Sequence, residues 1–314
     1  METLSRRRFI QAAAGAAALA PTVAGAQDRT RAIQGFRGSL CFFSKHLPRM
    51  NARDLSRTLK AMGFDGVDLT VRPGGHVDPK RVSDDLTGFV DVIRHEGLTV
   101  PMITTELLSD SAPAAQPTLE TAARLKIPFY KAGYYRYKFV DVRKELEAAG
   151  QQLRSLADLS RRYGMRVGYH NHAGYIGGPV WDFAPFIERL DAATVGYYFD
   201  IRHAVVEGGD GGWRPAFDLA APRLSMISLK DFFWEKSGGA WQQRDCPIGE
   251  GMVDWKKYFS LLAKARFHGP VSLHIEYDIE GDTPAAQEKN TLIAAERDFA
   301  FVKARVAEAY SGAA

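Results

Sequence analysis

Histidines and carboxylates recur in four short stretches, each closing an apolar run: His170-Asn171-His172, Asp200-Ile201-Arg202-His203, Ser228-Leu229-Lys230-Asp231 and His274-Ile275-Glu276-Tyr277. Four of the eight histidines lie in three of these stretches. Imidazole and carboxylate converging on one point is what a divalent transition metal needs, and two or three imidazoles with a carboxylate suit zinc or manganese. It is also what proton transfer near neutral pH needs. In an extended chain residues i and i+2 share a face. His170 then points with His172, Ser228 with Lys230, and His274 with Glu276. A metal held by His170, Asp200 and His274 leaves Glu276 or His172 to take a proton from carbon. Lys230 or His203 then stabilises the oxygen that gains charge. Singly, each has a plainer reading: a strand-end histidine as a hydrogen-bonded structural residue, Lys230-Asp231 as an ion pair on a rim.

The elements that must position these residues are legible around them. From Gly38 onward, β-rich runs alternate with helical patterns: Ser39–Phe43, Gly66–Val71, Leu98–Ile103, Pro128–Gly133, Arg166–His170, Val195–Asp200, Leu224–Lys230 and Pro270–Glu276. Their spacing is that of a βα unit. Asn51 caps a helix whose Leu55, Leu59 and Met62 share a face, and Gly63 ends it. Leu86, Val90 and Ile93 form a second, closed by Gly97. Leu146, Leu153, Leu156 and Leu159 form a third, closed by Gly164. Asp254 caps Trp255 to Arg266, and a last helix runs from about Ala285 to Tyr310. Eight such repeats predict an α/β fold, a (β/α)8 TIM barrel in a single domain. A doubly wound open sheet would want a Gly-rich turn after the first strand, and none is present.

A barrel works at the C-terminal ends of its strands, where the four stretches fall. Asp68 and Lys131, in the second and fourth strands, become candidate substrate contacts. Tyr135, Trp181 and Trp234 are candidate stacking surfaces for a sugar-sized ligand, in a set with Tyr134, Tyr137, Phe232 and Phe233. Aromatics near strand ends also simply fill space.

The first 26 residues read as an address. Ser5-Arg6-Arg7-Arg8-Phe9-Ile10-Gln11 carries a twin-arginine core, Ala12 to Ala20 is weakly apolar, and Ala24-Gly25-Ala26 supplies small residues for cleavage. This resembles a twin-arginine (Tat) export signal, which implies the Tat machinery as partner, a periplasmic destination and a mature barrel over 27–314. The net charge is +4, and loss of residues 1–26 leaves +2. A near-neutral body has no basic clamp for nucleic acid. No apolar run reaches the roughly 20 residues of a membrane span. With 46% hydrophobic residues and two cysteines, disorder and a disulfide scaffold are excluded. Whether Cys41 and Cys246 pair is not given by spacing.

Tyr169-His170-Asn171-His172, Phe199 to His203, Leu229 to Phe232, Ile248-Gly249-Glu250-Gly251-Met252-Val253-Asp254 and Leu273 to Tyr277 together resemble the xylose-isomerase-like sugar phosphate isomerase/epimerase superfamily, over roughly residues 36 to 308. The similarity is greatest to its exported, Tat-signal members. The resemblance implies a (β/α)8 barrel, a sugar-like substrate and one divalent metal, commonly manganese, zinc or magnesium. It leaves a homodimer paired through the barrel rim or last helix open. The superfamily's usual metal set is Glu, Asp, His and Glu on strands five to eight. The motifs align His170, Asp200, Ser228 and His274 with that set, so only Asp200 is retained. Glu276 lies one inward position further on. Proton shuttling by a glutamate pair is thereby put in doubt. The expected activity is proton removal next to a carbonyl of a sugar or keto-sugar derivative, giving isomerisation or epimerisation. Lyase or hydrolase action on 3-keto-glycosides, and a non-catalytic sugar-binding barrel with a degenerate metal site, are the alternatives. The DNA-repair endonucleases on the same barrel are disfavoured, because they need a richer metal cluster and a basic face.

Overall fold

The computed structural model describes residues 35–311. The strands are β1 (Leu40–Phe43), β2 (Gly66–Thr70), β3 (Thr99–Thr104), β4 (Phe129–Lys131), β5 (Arg166–His170), β6 (Val195–Asp200), β7 (Leu224–Leu229), β8 (Asp231–Ser237), β9 (Ala240–Cys246) and β10 (Val271–Leu273). Eight of them, all parallel, close in the order β1-β10-β7-β6-β5-β4-β3-β2. The expected single-domain TIM barrel is what the chain forms. The expected signal at residues 1–26 lies outside the described residues.

Around the barrel run α1 (Ala52–Met62), α2 (Val82–His95), α3 (Ala115–Arg124), α4 (Val142–Tyr163), the short α5 (Ala184–Ile187), α6 (Ile201–Ala220), α7 (Trp255–Lys264) and α8 (Pro284–Tyr310). Their starts follow local chemistry. The side chains of Asn51, Asp141, Asp254 and Thr283 each accept a first-turn backbone N–H, removing one of the unpaired donors at a helix start. The inward faces of the helices (Leu55 and Leu59, Leu86 and Val90, Leu153 and Leu156) are buried against the strands, which supplies most of the helices' stability.

Inside the barrel Met102, Tyr198 and Met226 pack together. Gly168 makes room for them: a Cβ there would collide with Met226 Cε. Both cysteines are buried and unpaired. No helix among the described residues is long and apolar enough to cross a membrane.

One element is additional to the expected eight repeats. β8 and β9 form an antiparallel hairpin after β7, turned by Gly238 and Gly239, both at positive φ (58° and 84°). Two consecutive left-handed residues suit the tight turns that match strand twist, and glycine adopts them without strain.

Candidate active site

The C-terminal ends of the strands enclose a cavity of about 620 Å³, a size suited to a small ligand. Its wall includes Lys45, Lys131, His170, His172, His203, Lys230, His274 and Glu276. The polar groups divide into two clusters.

The first is centred on Asp200, the last residue of β6 and the N-cap of α6. Its Oδ1 accepts the backbone N–H of His203 at 3.0 Å. Its Oδ2 accepts the hydroxyl of Ser228 at 2.7 Å, with His170 Nε2 at 3.1 Å and Lys230 Nζ at 3.2 Å. The register that pairs Asp200 with Ser228 across β6 and β7 brings these groups level. Burial alone would push the Asp200 carboxyl up. The Lys230 ammonium and the imidazoles of His203 and His170 outweigh it and hold the carboxyl well below the usual range. Asp200 is fully buried and lies behind the cavity wall.

The hydrogen bonds set the tautomers. Burial pushes His170 down to about 3, against the pull of Asp200, so its ring is neutral at pH 7. Asp200 can only accept, so His170 Nε2 carries the hydrogen, and Nδ1 accepts the Tyr134 hydroxyl at 2.9 Å. Burial and Lys230 also lower His203. Its Nδ1 faces the Arg202 guanidinium at 3.1 Å, a group that only donates, so Nε2 carries the hydrogen, and it has no partner. His172, lowered to about 4 by burial and Lys230, donates from Nδ1 to the Ala173 carbonyl at 3.0 Å. Its Nε2 lone pair is left free. The rings of His172 and His203 lie 3.8 Å apart.

The second cluster joins the first and last strands of the barrel. Glu276, just beyond β10, receives the Lys45 ammonium on Oε2 at 2.7 Å. Its Oε1 lies 3.5 Å from His274 Nδ1 and 4.0 Å from His46 Nε2. Neither of those nitrogens has a hydrogen-bond partner. Burial would raise the Glu276 carboxyl, and the Lys230 ammonium opposes it, so the carboxyl is held below the usual range. Burial lowers His46 to about 3 and lowers His274.

Tyr198 lies between the clusters. Its ring stacks on His170 at 4.7 Å, and its hydroxyl donates to Asp68 at 3.1 Å while lying 3.2 Å from His274 Nε2. Among the described residues two groups could hold a metal ion, with ligand atoms within 4.8 Å of one another: His46, His274 and Glu276, and His170, Asp200 and His203. The second fits a cation poorly. Both imidazole nitrogens that face Asp200 carry hydrogens, whereas a ligand nitrogen must offer its lone pair. The Lys230 ammonium already sits on Oδ2, the same carboxylate oxygen that those nitrogens face.

The expected site residues therefore fall into place unevenly. Lys230, His172, His203, Glu276 and Lys131 line the cavity. The metal trio of His170, Asp200 and His274 is not brought together: His274 turns to Glu276, and His170 to Asp200. Asp68 sits beneath the floor and accepts the hydroxyls of Thr104, Ser272 and Tyr198. Tyr135 is buried away from the cavity, stacked on Tyr169 with its hydroxyl on the Leu108 carbonyl. Trp181 and Trp234 are solvent-exposed off the wall. The neighbouring Tyr134 reaches the cavity wall instead, its ring under the Lys131 ammonium at 3.5 Å. Sequence reasoning missed Lys45, His46, Arg72 and Tyr198. His46, three residues past β1, carried the signal that was used elsewhere, a histidine at a strand end.

The profile of the xylose isomerase-like TIM barrel family matches residues 57–299. No curated protein matches the chain by sequence. Among solved structures, a xylose isomerase-like TIM barrel protein from Mycobacterium smegmatis, in complex with magnesium, superposes with a TM-score of 0.66 at 17% identity, covering 87% of this chain and 98% of that one. D-psicose 3-epimerase from Clostridium cellulolyticum H10, with D-tagatose, gives 0.66 at 12% identity over 85% and 99%. The 3-keto-D-glucoside 4-epimerase from E. coli gives 0.62 at 17% identity over 83% and 99%. With a family profile spanning most of the barrel and the same barrel in these structures, the chain belongs to the xylose isomerase-like TIM barrel family.

Proposed function

We propose that the chain is an enzyme of the sugar isomerase or epimerase kind that removes a proton next to the carbonyl of a sugar or keto-sugar derivative. The observation that carries this reading is one wall of the cavity. There an ammonium backed by an ionised carboxylate (Lys230 on Asp200) stands with a neutral imidazole whose Nε2 lone pair is open (His172). A base and an oxyanion donor side by side are what enolisation needs. His172 takes the proton from carbon. The electron pair moves to the carbonyl oxygen, which the Lys230 ammonium receives, while His203, its buried Nε2–H turned to Asp200 Oδ2 at 3.8 Å, backs that carboxylate. Returning the proton to the former carbonyl carbon, as the neighbouring hydroxyl passes its hydrogen to the oxygen that gained charge, gives an isomer; protonation of the original carbon on its other face by a second acid, with the carbonyl restored, gives an epimer. The sugar epimerases that share this barrel support the substrate class. A divalent metal, when bound, supplies a Lewis acid that polarises the carbonyl or hydroxyl. The magnesium in the mycobacterial relative supports one.

The second reading is β-elimination from a 3-keto-glycoside. It shares the first step and is favoured by the histidines standing where glutamates are usual. Incubation in D2O with a panel of ketoses, aldoses and 3-keto-glycosides, read by NMR, tests both. Deuterium uptake next to the carbonyl, reduced roughly 10²–10⁴-fold in His172→Gln, is expected. Release of an unsaturated product selects the elimination, and saturable binding without exchange on any substrate overturns both in favour of a non-catalytic barrel. We also propose Tat export to the periplasm, on residues 5–26 of the sequence. Arg6→Lys with Arg7→Lys should hold the protein inside the cell.

A further inference from the structure

We propose that the divalent metal of this chain sits on the β1–β10 side of the barrel mouth, held by His46 Nε2, His274 Nδ1 and Glu276 Oε1, and away from Asp200. The proposal rests on the reading above for its purpose, since it supplies a Lewis acid to that cavity, but it is decided by metal binding alone.

The case begins with hydrogens. Asp68 accepts three hydroxyls, from Thr104 and Ser272 at 2.7 Å each and from Tyr198 at 3.1 Å. The Tyr198 hydrogen is thus committed to Asp68, and the Tyr198 oxygen is an acceptor toward His274 Nε2 at 3.2 Å. His274 must then carry its hydrogen on Nε2, because a neutral imidazole has one. Its Nδ1 is left as a bare lone pair. What that lone pair faces, 3.5 Å away, is Glu276 Oε1, another acceptor. The other unpartnered ring nitrogen, His46 Nε2, lies 4.0 Å from the same oxygen. The two imidazoles are nearly sealed from solvent, with side chains 7% and 4% exposed. The lone pairs of His274 Nδ1 and Glu276 Oε1, facing each other in a buried space, repel unless a cation sits between them, and His46 Nε2 is the third group at that point.

The surroundings are those of a ligand set. Two imidazoles and one carboxylate are a donor set for zinc, manganese, cobalt or ferrous iron. Nitrogen and oxygen ligands about 2.0–2.1 Å from a metal stand roughly 3–3.4 Å from one another, so closing 3.5 and 4.0 Å takes a small inward shift. The chain Asp68–Tyr198–His274 does what outer carboxylates do for metal-bound histidines, fixing the tautomer and turning the ring. Lys45 holds Oε2 of Glu276 and leaves Oε1 open. Phe43 stacks on His274 at 4.3 Å and fixes its plane. At Asp200 the facing His170 nitrogen carries its hydrogen, and Lys230 sits on the same oxygen, Oδ2, that the ring faces.

The test is calorimetric titration of the metal-stripped full-length protein with Zn²⁺, Mn²⁺ and Co²⁺ in turn. One ion per chain is expected for at least one of them. Affinity should fall at least about 100-fold in His46→Gln and about 10–100-fold in Tyr198→Phe, and change less than about threefold in His203→Gln. Long-range ¹H–¹⁵N spectra of the unmutated protein give a readout that needs no variant: loading with Zn²⁺ should shift His274 Nδ1 and His46 Nε2 and leave the tautomers of His170 and His203 as they are. Absence of stoichiometric binding overturns the proposal, as does binding retained in His46→Gln and lost in Asp200→Asn. In either case deuterium exchange on the sugar panel can still succeed, so the two readings fail separately.

Discussion

Asp200 divides its work between two oxygens, capping α6 with one and gathering Ser228, His170 and Lys230 with the other. Such a residue makes the cavity acid-sensitive, and the histidines reinforce it. His46 and His170 titrate near 3 and His172 near 4 in the folded protein, against 6.5 unfolded. The unfolded chain therefore binds protons that the folded one refuses. Stability is full above about pH 6.5 and falls as pH drops toward 3–4, by roughly 1.4 kcal/mol per pH unit for each histidine. Asp200 and Glu276, held below their ordinary values, act in the same direction and are lost below about pH 4. Urea midpoints measured from pH 7.5 to 4.5 should decline steadily, and His172→Gln should flatten the slope; a midpoint that rises in acid would contradict the assignment. Lys131 offers a second check. Burial, then the charge of Arg72, pushes it down to about 7. Dimethylated with ¹³C, it should titrate near neutrality, and Arg72→Gln should move the midpoint upward.

At the scale of elements, Asp231 explains a motif. Its carboxylate accepts the backbone N–H groups of Phe232, Gly249, Gly251 and Val253 and the indole N–H of Trp255. The run Ile248 to Trp255 is thus a loop wound around one buried carboxylate. Gly251 is required there, since a Cβ would strike both the Asp231 carboxylate and the Phe232 carbonyl. Asp231→Ala strands five donors and should cost at least about 3 kcal/mol by chemical denaturation. A loss below about 1 kcal/mol would show that water replaces the carboxylate. The run was legible as a specific motif, but its cause was not, because four of the five donors are main-chain groups. The bounds of β5 and β6, the Asn51 cap and the Gly63 stop were legible for the opposite reason, being local. His46 was not: it meets Glu276 only because barrel closure pairs β1 with β10. Tyr134 and Tyr135 show the other limit. Nearness to a strand end was readable for both, yet only one side chain faces the cavity. The hairpin was missed because a strict strand–helix repeat leaves no room for it, although Gly238-Gly239 between aromatic and polar runs is a turn signal.

At the scale of the molecule the barrel and its hairpin have separable duties. Most of β9 is exposed, but Gln243 and Asp245 reach the cavity wall, and Asp245 pairs with Arg202 at 2.9 Å. Phe233 pairs with Arg244 in the hairpin register. Replacing residues 233–244 by Asn-Gly should therefore keep the melting temperature within a few degrees while raising KM for whichever sugar the exchange assay identifies. A collapse of the melting temperature would make the hairpin part of the core. The two buried thiols have a wider consequence. Cys41 lies on β1 and Cys246 at the end of β9, and neither is bonded to the other. The native state therefore owes nothing to oxidation, and refolding should run equally well with dithiothreitol or without it. The barrel can mature under reducing conditions and persist under oxidising ones without any covalent change.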